Sequence, residues 1–180
     1  MLGRGPGLIL ALAVLAAILG GLIQYGHRSP AAESDLSVIG KPLPALVLSD
    51  LQGHPQPLAA YRGRRLLLNF WASWCGPCLE EMPALNSAQQ KFGDQGPIVL
   101  GIAMDEPDRV RAFLAAHPVS YPILLGNMQV PSTSLQLGDR QEILPFSVLI
   151  GADGRIIATH AGALSPAQLE HWLRPSTRQL

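Results

Sequence analysis

Two cysteines, Cys75 and Cys78, are the only ones in the chain, and they stand three positions apart. Sulfurs so spaced can close into a disulfide, share a metal ion or hold a haem. A structural zinc site takes four Cys or His ligands, and the five histidines are scattered without metal spacing. Haem attachment needs a histidine directly after the second cysteine, where this chain has Leu79. A secreted disulfide scaffold would spread more cysteines along its length. A dithiol that opens and closes is the economical reading, with no cofactor and no metal.

Such a pair needs positioning, and the flanking residues supply it. Residues 65–70 form an almost unbroken apolar run, which suits a central strand buried on both faces. A helix should begin at the cysteine pair and run towards Lys91, bent by Pro83. The first cysteine then lies where a strand ends and a helix begins. There, N–H groups without intrahelical partners and the positive end of the helix dipole favour a thiolate. Pro77 is tolerated in the first turn, and one helical turn brings residues i and i+3 within disulfide reach. Access sets the roles: Cys75, exposed at the turn, is the expected nucleophile, and Cys78, one turn inside, the resolving thiol.

The other elements follow from apolar periodicity and turn residues. Residues 46–48 and 56–58 flank Asp50-Leu51-Gln52-Gly53 as a hairpin. A second buried strand is expected over 97–104, a helix over 107–117 with proline in its first turn, and a brief strand over 121–125. Residues 126–141 read as loop with one short helix. Strands over 146–150 and 155–159 surround Ala152-Asp153-Gly154, and Ser165-Pro166 starts a last helix with Leu169, Trp172 and Leu173 on one stripe. The acidic stretch Asp105-Glu106-Pro107-Asp108 reads as a helix-capping cluster. This order indicates an α/β sandwich around a mixed sheet.

The N-terminus reads differently. Residues 8–23 carry no charge and no polar stripe, at the short end of what spans a bilayer and the long end of a signal-peptide core. The expectation is an uncleaved membrane anchor over 1–28, a linker over 29–37, the catalytic domain over 38–175 and a tail over 176–180. A cleaved signal and a buried core helix are the alternatives. Either export reading puts the domain outside the cytoplasm, where disulfide chemistry is routine; the anchored form is expected in the inner membrane of a bacterium, with the catalytic domain in the periplasm. A formal net charge of zero gives no sign of a nucleic-acid partner.

The stretch Asn69-Phe70-Trp71-Ala72-Ser73-Trp74-Cys75-Gly76-Pro77-Cys78 resembles the active-site segment of thioredoxins. Cys78-Leu79-Glu80-Glu81-Met82-Pro83 resembles the TlpA-like branch, which includes membrane-anchored reductases serving cytochrome c maturation. The resemblance covers about 38–173. It implies a thioredoxin-like fold, a central mixed β-sheet flanked by helices, with an N-terminal β-hairpin around Gly53 and a central insert between Cys78 and Pro145. The activity implied is a thiol–disulfide oxidoreductase that reduces protein disulfides. Clients would be disulfide-bearing proteins, apocytochrome c among the candidate classes, and electrons would come from a membrane thiol donor.

The same resemblance implies a cis Leu144–Pro145 bond facing the cysteines, with the backbone at Leu144 pairing with substrate. Trp74, Gly76 and Pro77 would line the substrate surface beside Cys75. Phe146-Ser147 stands where threonines are usual. Asn69 occupies the place of a buried aspartate that in thioredoxins assists proton transfer at the second cysteine. Glu81, three residues beyond Cys78 on the same helix face, is the expected replacement as proton acceptor or relay, whereas Glu80 should be solvated. The rivals are a thiol oxidase of DsbA type and a copper-binding module in which His160 joins the cysteines. A peroxidase would need a Thr–Arg surround that the sequence does not show.

Overall fold

The run read as a central strand folds as Leu66–Trp71 (β3), with all six residues buried. The computed structural model describes residues 13–19, 37–93 and 96–174. The chain divides into two units, Met1–Ser37 and Val38–Leu180. The second holds Val47–Asp50 (β1), Pro55–Pro57 (β2), β3, Ile98–Ala103 (β4), Ile123–Leu125 (β5), Phe146–Ile150 (β6) and Ile156–Ala161 (β7). Its helices are Gly76–Phe92 (α1), Pro107–Ala116 (α2), Thr133–Gln136 (α3) and Pro166–Leu173 (α4). The strands form one mixed sheet in the order β2-β1-β5-β4-β3-β6-β7.

The centre is parallel because helices carry the crossovers: α1 joins β3 to β4 and α2 joins β4 to β5. Outside it the pairings are antiparallel. β6 and β7 meet through the turn at Gly154, whose φ of +80° only glycine adopts easily. The N-terminal hairpin adds β1 beyond β5 and leaves β2 at the edge, where its two prolines withhold N–H donors from further pairing. Asp50 fixes its turn, accepting from Gln52 N and His54 N at 2.9 Å each. The second strand of that hairpin is one residue earlier than the apolar pattern suggests. Leu58 leaves it to open a 3-10 turn, Leu58–Tyr61, and is buried there.

Alternation along β3 builds two cores. Leu67 and Trp71 face α1, α2 and α4, packing with Met82, Leu85, Val110, Leu169 and Leu173. Leu66, Leu68 and Phe70 face the other way, against Leu58, Leu100, Ile102, Leu137 and Phe146. Each such side chain contributes about 1.5–3 kcal/mol on burial. Parity puts Asn69 on the α1 side, a polar group in the middle of an apolar face. Pro83 lies inside α1, which continues through it to Phe92. A capping box, Ser165 with Gln168, starts α4.

The anchor and linker expected over 1–37 lie outside the described residues except for 13–19 and Ser37. Residues 13–19 are helical and expose Val14, Leu15, Ile18 and Leu19. Among the described residues no helix is long and apolar enough to cross a membrane. The tail over 176–180 also lies outside them.

Candidate active site

Cys75 is the N-cap of α1 and Cys78 lies in its first turn, with Pro77 between them at the position where a missing N–H costs nothing. The pair is bridged, with Cα atoms 5.3 Å apart, inside the range a disulfide requires. The structure therefore shows the oxidised form. Cys75 was expected to be open at the turn. In the bridged state it is 6% exposed and Cys78 1%, because both sulfurs pack into the α1-side core. The open surface belongs to Trp74, 64% exposed, and to Gly76 and Pro77. Cys75 remains the outer of the two.

The Leu144–Pro145 bond is cis. Leu144 is half-buried against the core that holds both cysteines, and Pro145 is buried, its carbonyl accepting from Gly162 N at 2.8 Å. The structure thus places Leu144 against the core that includes the cysteine pair, with Trp74, Gly76 and Pro77 next to the cysteines in sequence and exposed.

Behind the cysteines lies a buried carboxylate. Glu81 is 5% exposed, one turn beyond Cys78 on the same helix face, while Glu80 is exposed. Its Oε1 accepts from Leu164 N at 3.0 Å and its Oε2 from Asn69 Nδ2 at 3.3 Å. Asn69 also donates to Ser147 Oγ at 3.1 Å. Burial raises the Glu81 pKa above the usual carboxylate value, and it outweighs the opposing pull of those donors and of His160. A buried carboxyl with a raised pKa is chemically suited to accept and return a proton. Asparagine at position 69 holds this group where an aspartate would repel it.

Tyr121 and Trp71 both pack close to where a Cβ of Gly101 would stand. Neither Tyr121 Oη nor Trp71 Nε1 has a hydrogen-bond partner among the described residues. Burial, and then the nearby Glu81 charge, push the Tyr121 phenol well above its ordinary pKa.

Asp105 has a role that the sequence did not suggest. It is 5% exposed, and its Oδ2 accepts from both Ser73 N, at 3.0 Å, and Ser73 Oγ. Its Oδ1 accepts from Glu106 N at 2.8 Å, and Arg109 lies 4.0 Å away. Burial pushes its pKa up, but these donors and the arginine charge outweigh that and hold it below the usual range. Expected as part of a helix-capping cluster, Asp105 instead pins the turn that carries Trp74 and Cys75. The N-cap of α2 is Glu106, whose side chain makes no cap hydrogen bond. Asp105→Ala should cost about 1–3 kcal/mol by removing the charged acceptor of the part-buried Ser73 and Glu106 donors, read as a lower urea midpoint of the oxidised protein. Asp105→Asn keeps an acceptor oxygen and should recover at least half of that loss.

Among the described residues no group of three or more His, Cys, Asp or Glu could hold a metal ion. His160 turns towards α4, its ring edge-on to Trp172 at 6.5 Å.

Residues 39–159 match the AhpC/TSA family. The thiol–disulfide oxidoreductase ResA of Bacillus anthracis is 29% identical over 170 residues, 94% of each chain. That of Geobacillus kaustophilus is 28% identical over 167 residues, 92% of this chain and 94% of its own. Among solved structures, a protein described as thiol:disulfide interchange protein DsbE from Chlorobium tepidum superposes with a TM-score of 0.63 at 28% identity, covering 74% of this chain and 91% of that one. StoA from Bacillus subtilis, at 22% identity, shares the fold with a TM-score of 0.57, over 74% of this chain and 98% of its own. With a bridged Cys-x-x-Cys pair at the head of α1, this chain belongs to the AhpC/TSA family and is a thiol–disulfide oxidoreductase of thioredoxin-like fold.

Proposed function

We propose that the protein is a periplasmic reductase of protein disulfides, tethered to the inner membrane of a bacterium by its N-terminal apolar segment. The observation that carries the reductase reading is the buried Glu81 carboxylate behind Cys78. In the reduced protein the Cys75 thiolate attacks a client disulfide, forming a mixed disulfide and releasing one client thiolate. Cys78 then gives its proton to Glu81 and attacks the Cys75 sulfur. The second client thiolate leaves, and the Cys75–Cys78 bond forms. Two electrons have passed to the client, and a dithiol donor must return two to the enzyme.

Trp74, Gly76 and Pro77 offer the client a surface, and the backbone at Leu144 an edge for an extended segment. The location is supported by the charge-free run over 8–23. Apocytochrome c is one client class in keeping with the resemblance to the TlpA-like branch, and a membrane thiol carrier is the donor class. A thiol oxidase is the competing direction.

The reduction potential decides between them. A value near about −270 mV, as in thioredoxin, is expected, whereas one near about −120 mV, as in a strong oxidant, would overturn the reductase assignment. Cys78→Ala in the full chain should leave periplasmic clients attached to Cys75, and their absence from the periplasmic fraction would count against both client reduction and the location.

A further inference from the structure

Sheet register lines up Ile123, Gly101, Asn69, Ser147 and His160 across β5, β4, β3, β6 and β7. Directly paired residues project to the same face. Asn69 and Ser147 face α1, since Asn69 Nδ2 donates to both Ser147 Oγ and Glu81 Oε2. His160 follows them onto that face. There its ring meets Trp172 of α4, and its Nδ1 lies 3.5 Å from Gln168 Nε2. Asn69 and Ser147 are buried, whereas His160, on the edge strand β7, is half-buried. The polar row thus begins at the Glu81 carboxylate and ends at an imidazole within reach of solvent.

Among the described residues the groups facing Glu81 are few. Its own helix contributes Cys75 and Cys78, with Glu80 turned outward; the segment before β5 contributes Tyr121; β3 and β6 contribute neutral Asn69 and Ser147; and β7 contributes His160. From α4 come the neutral Gln168 and Trp172. His160 is the basic group whose charge acts on Glu81. Histidine is also the side chain that exchanges a proton most readily across the neutral range.

We propose that His160 is a positioning residue for the relay, setting the charge on Glu81 from the solvent-side end of the Asn69–Ser147–His160 row. It touches neither cysteine nor client. A positive charge on the imidazole favours the Glu81 carboxylate, the form that can accept the Cys78 proton. Without a positive charge at that position the support is withdrawn.

This inference rests on the Glu81 relay reading, and the test separates the two. Glu81 is followed by carboxyl 13C NMR in the full-length oxidised protein, its resonance assigned by loss in Glu81→Gln. Replacing His160 by glutamine should raise the Glu81 midpoint by about half a pH unit. His160→Lys, which keeps a positive charge, should leave it at or below the wild-type value. An unchanged midpoint in His160→Gln, or an equal rise in both variants, would overturn the coupling, the second because it marks loss of packing. The pH–rate profile of disulfide exchange is measured on the same proteins. A moved midpoint with an unmoved rate profile upholds the coupling and sinks the relay.

Discussion

Replacing Cys75 with serine is expected to abolish disulfide exchange, lowering the rate on the order of a thousandfold or more at every pH. The reaction exchanges one sulfur–sulfur bond for another, and a serine hydroxyl can neither form that bond nor ionise near neutrality. Cys78 cannot substitute. It is 1% exposed, one turn inside α1, and a client sulfur would have to displace the core to reach it. Cys78→Ala should fail at a different step. Cys75 still attacks, and the mixed disulfide accumulates, visible as a shift on a non-reducing gel with a model disulfide peptide. Serine at 75 gives no such adduct. Neither variant should unfold. A bridge closing so short a loop contributes about 2 kcal/mol on the chain-entropy argument, so both should match reduced wild type in urea. If Cys75→Ser kept more than a tenth of wild-type exchange while folded, the assignment of Cys75 as nucleophile would be wrong.

The residues to which the proposed chemistry is assigned were visible in the sequence because local rules place them. An apolar run followed by cysteine, proline and a helical stretch marks a strand that turns into a helix, and α1 runs from Gly76 to Phe92 accordingly. Glu81 is reached from Cys78 by helical spacing alone. Alternation along β3 could have placed Asn69 on the α1 face beside it. Asp105 was missed because its partner is 32 residues away, and only strand register brings them together. β3 pairs parallel with β4 so that Trp71 stands opposite Ala103, and two residues further along each chain lie Ser73 and Asp105. His160 was hidden one strand deeper, since its place depends on β3 pairing with β6 and β6 with β7. Sequence periodicity says which way a side chain points, but not which strand lies beside it. The exposure expected of Cys75 failed for a related reason: an N-cap position is local, whereas the core that closes over it is tertiary.

Glu81→Gln should slow exchange and stabilise the fold at the same time. On the rate side, a buried group that accepts a proton is replaced by one that cannot. The step in which Cys78 attacks should fall on the order of a hundredfold, and the inflection belonging to Glu81 should leave the pH–rate profile. An unchanged profile would remove Glu81 from the mechanism. On the stability side, burial raises the folded pKa of Glu81 above its unfolded value. Between those two values the folded state binds more protons than the unfolded one, so stability falls as pH rises through that window. Below the unfolded pKa the carboxyl is neutral in both states, and that destabilisation is absent. Glutamine resembles the neutral acid at every pH. Its oxygen can accept from Leu164 N, and its amide can donate to Asn69 if that side chain turns its own oxygen inward and takes the Ser147 hydroxyl proton. The variant should therefore match wild type in urea near pH 4 and exceed it at pH 8, with the gap opening as Glu81 ionises. A gap of opposite sign at pH 8 would mean that the hydrogen bonds from Leu164 and Asn69 outweigh desolvation. Greater stability with slower exchange would mark Glu81 as a charge held in the core for the sake of Cys78, at the fold's expense.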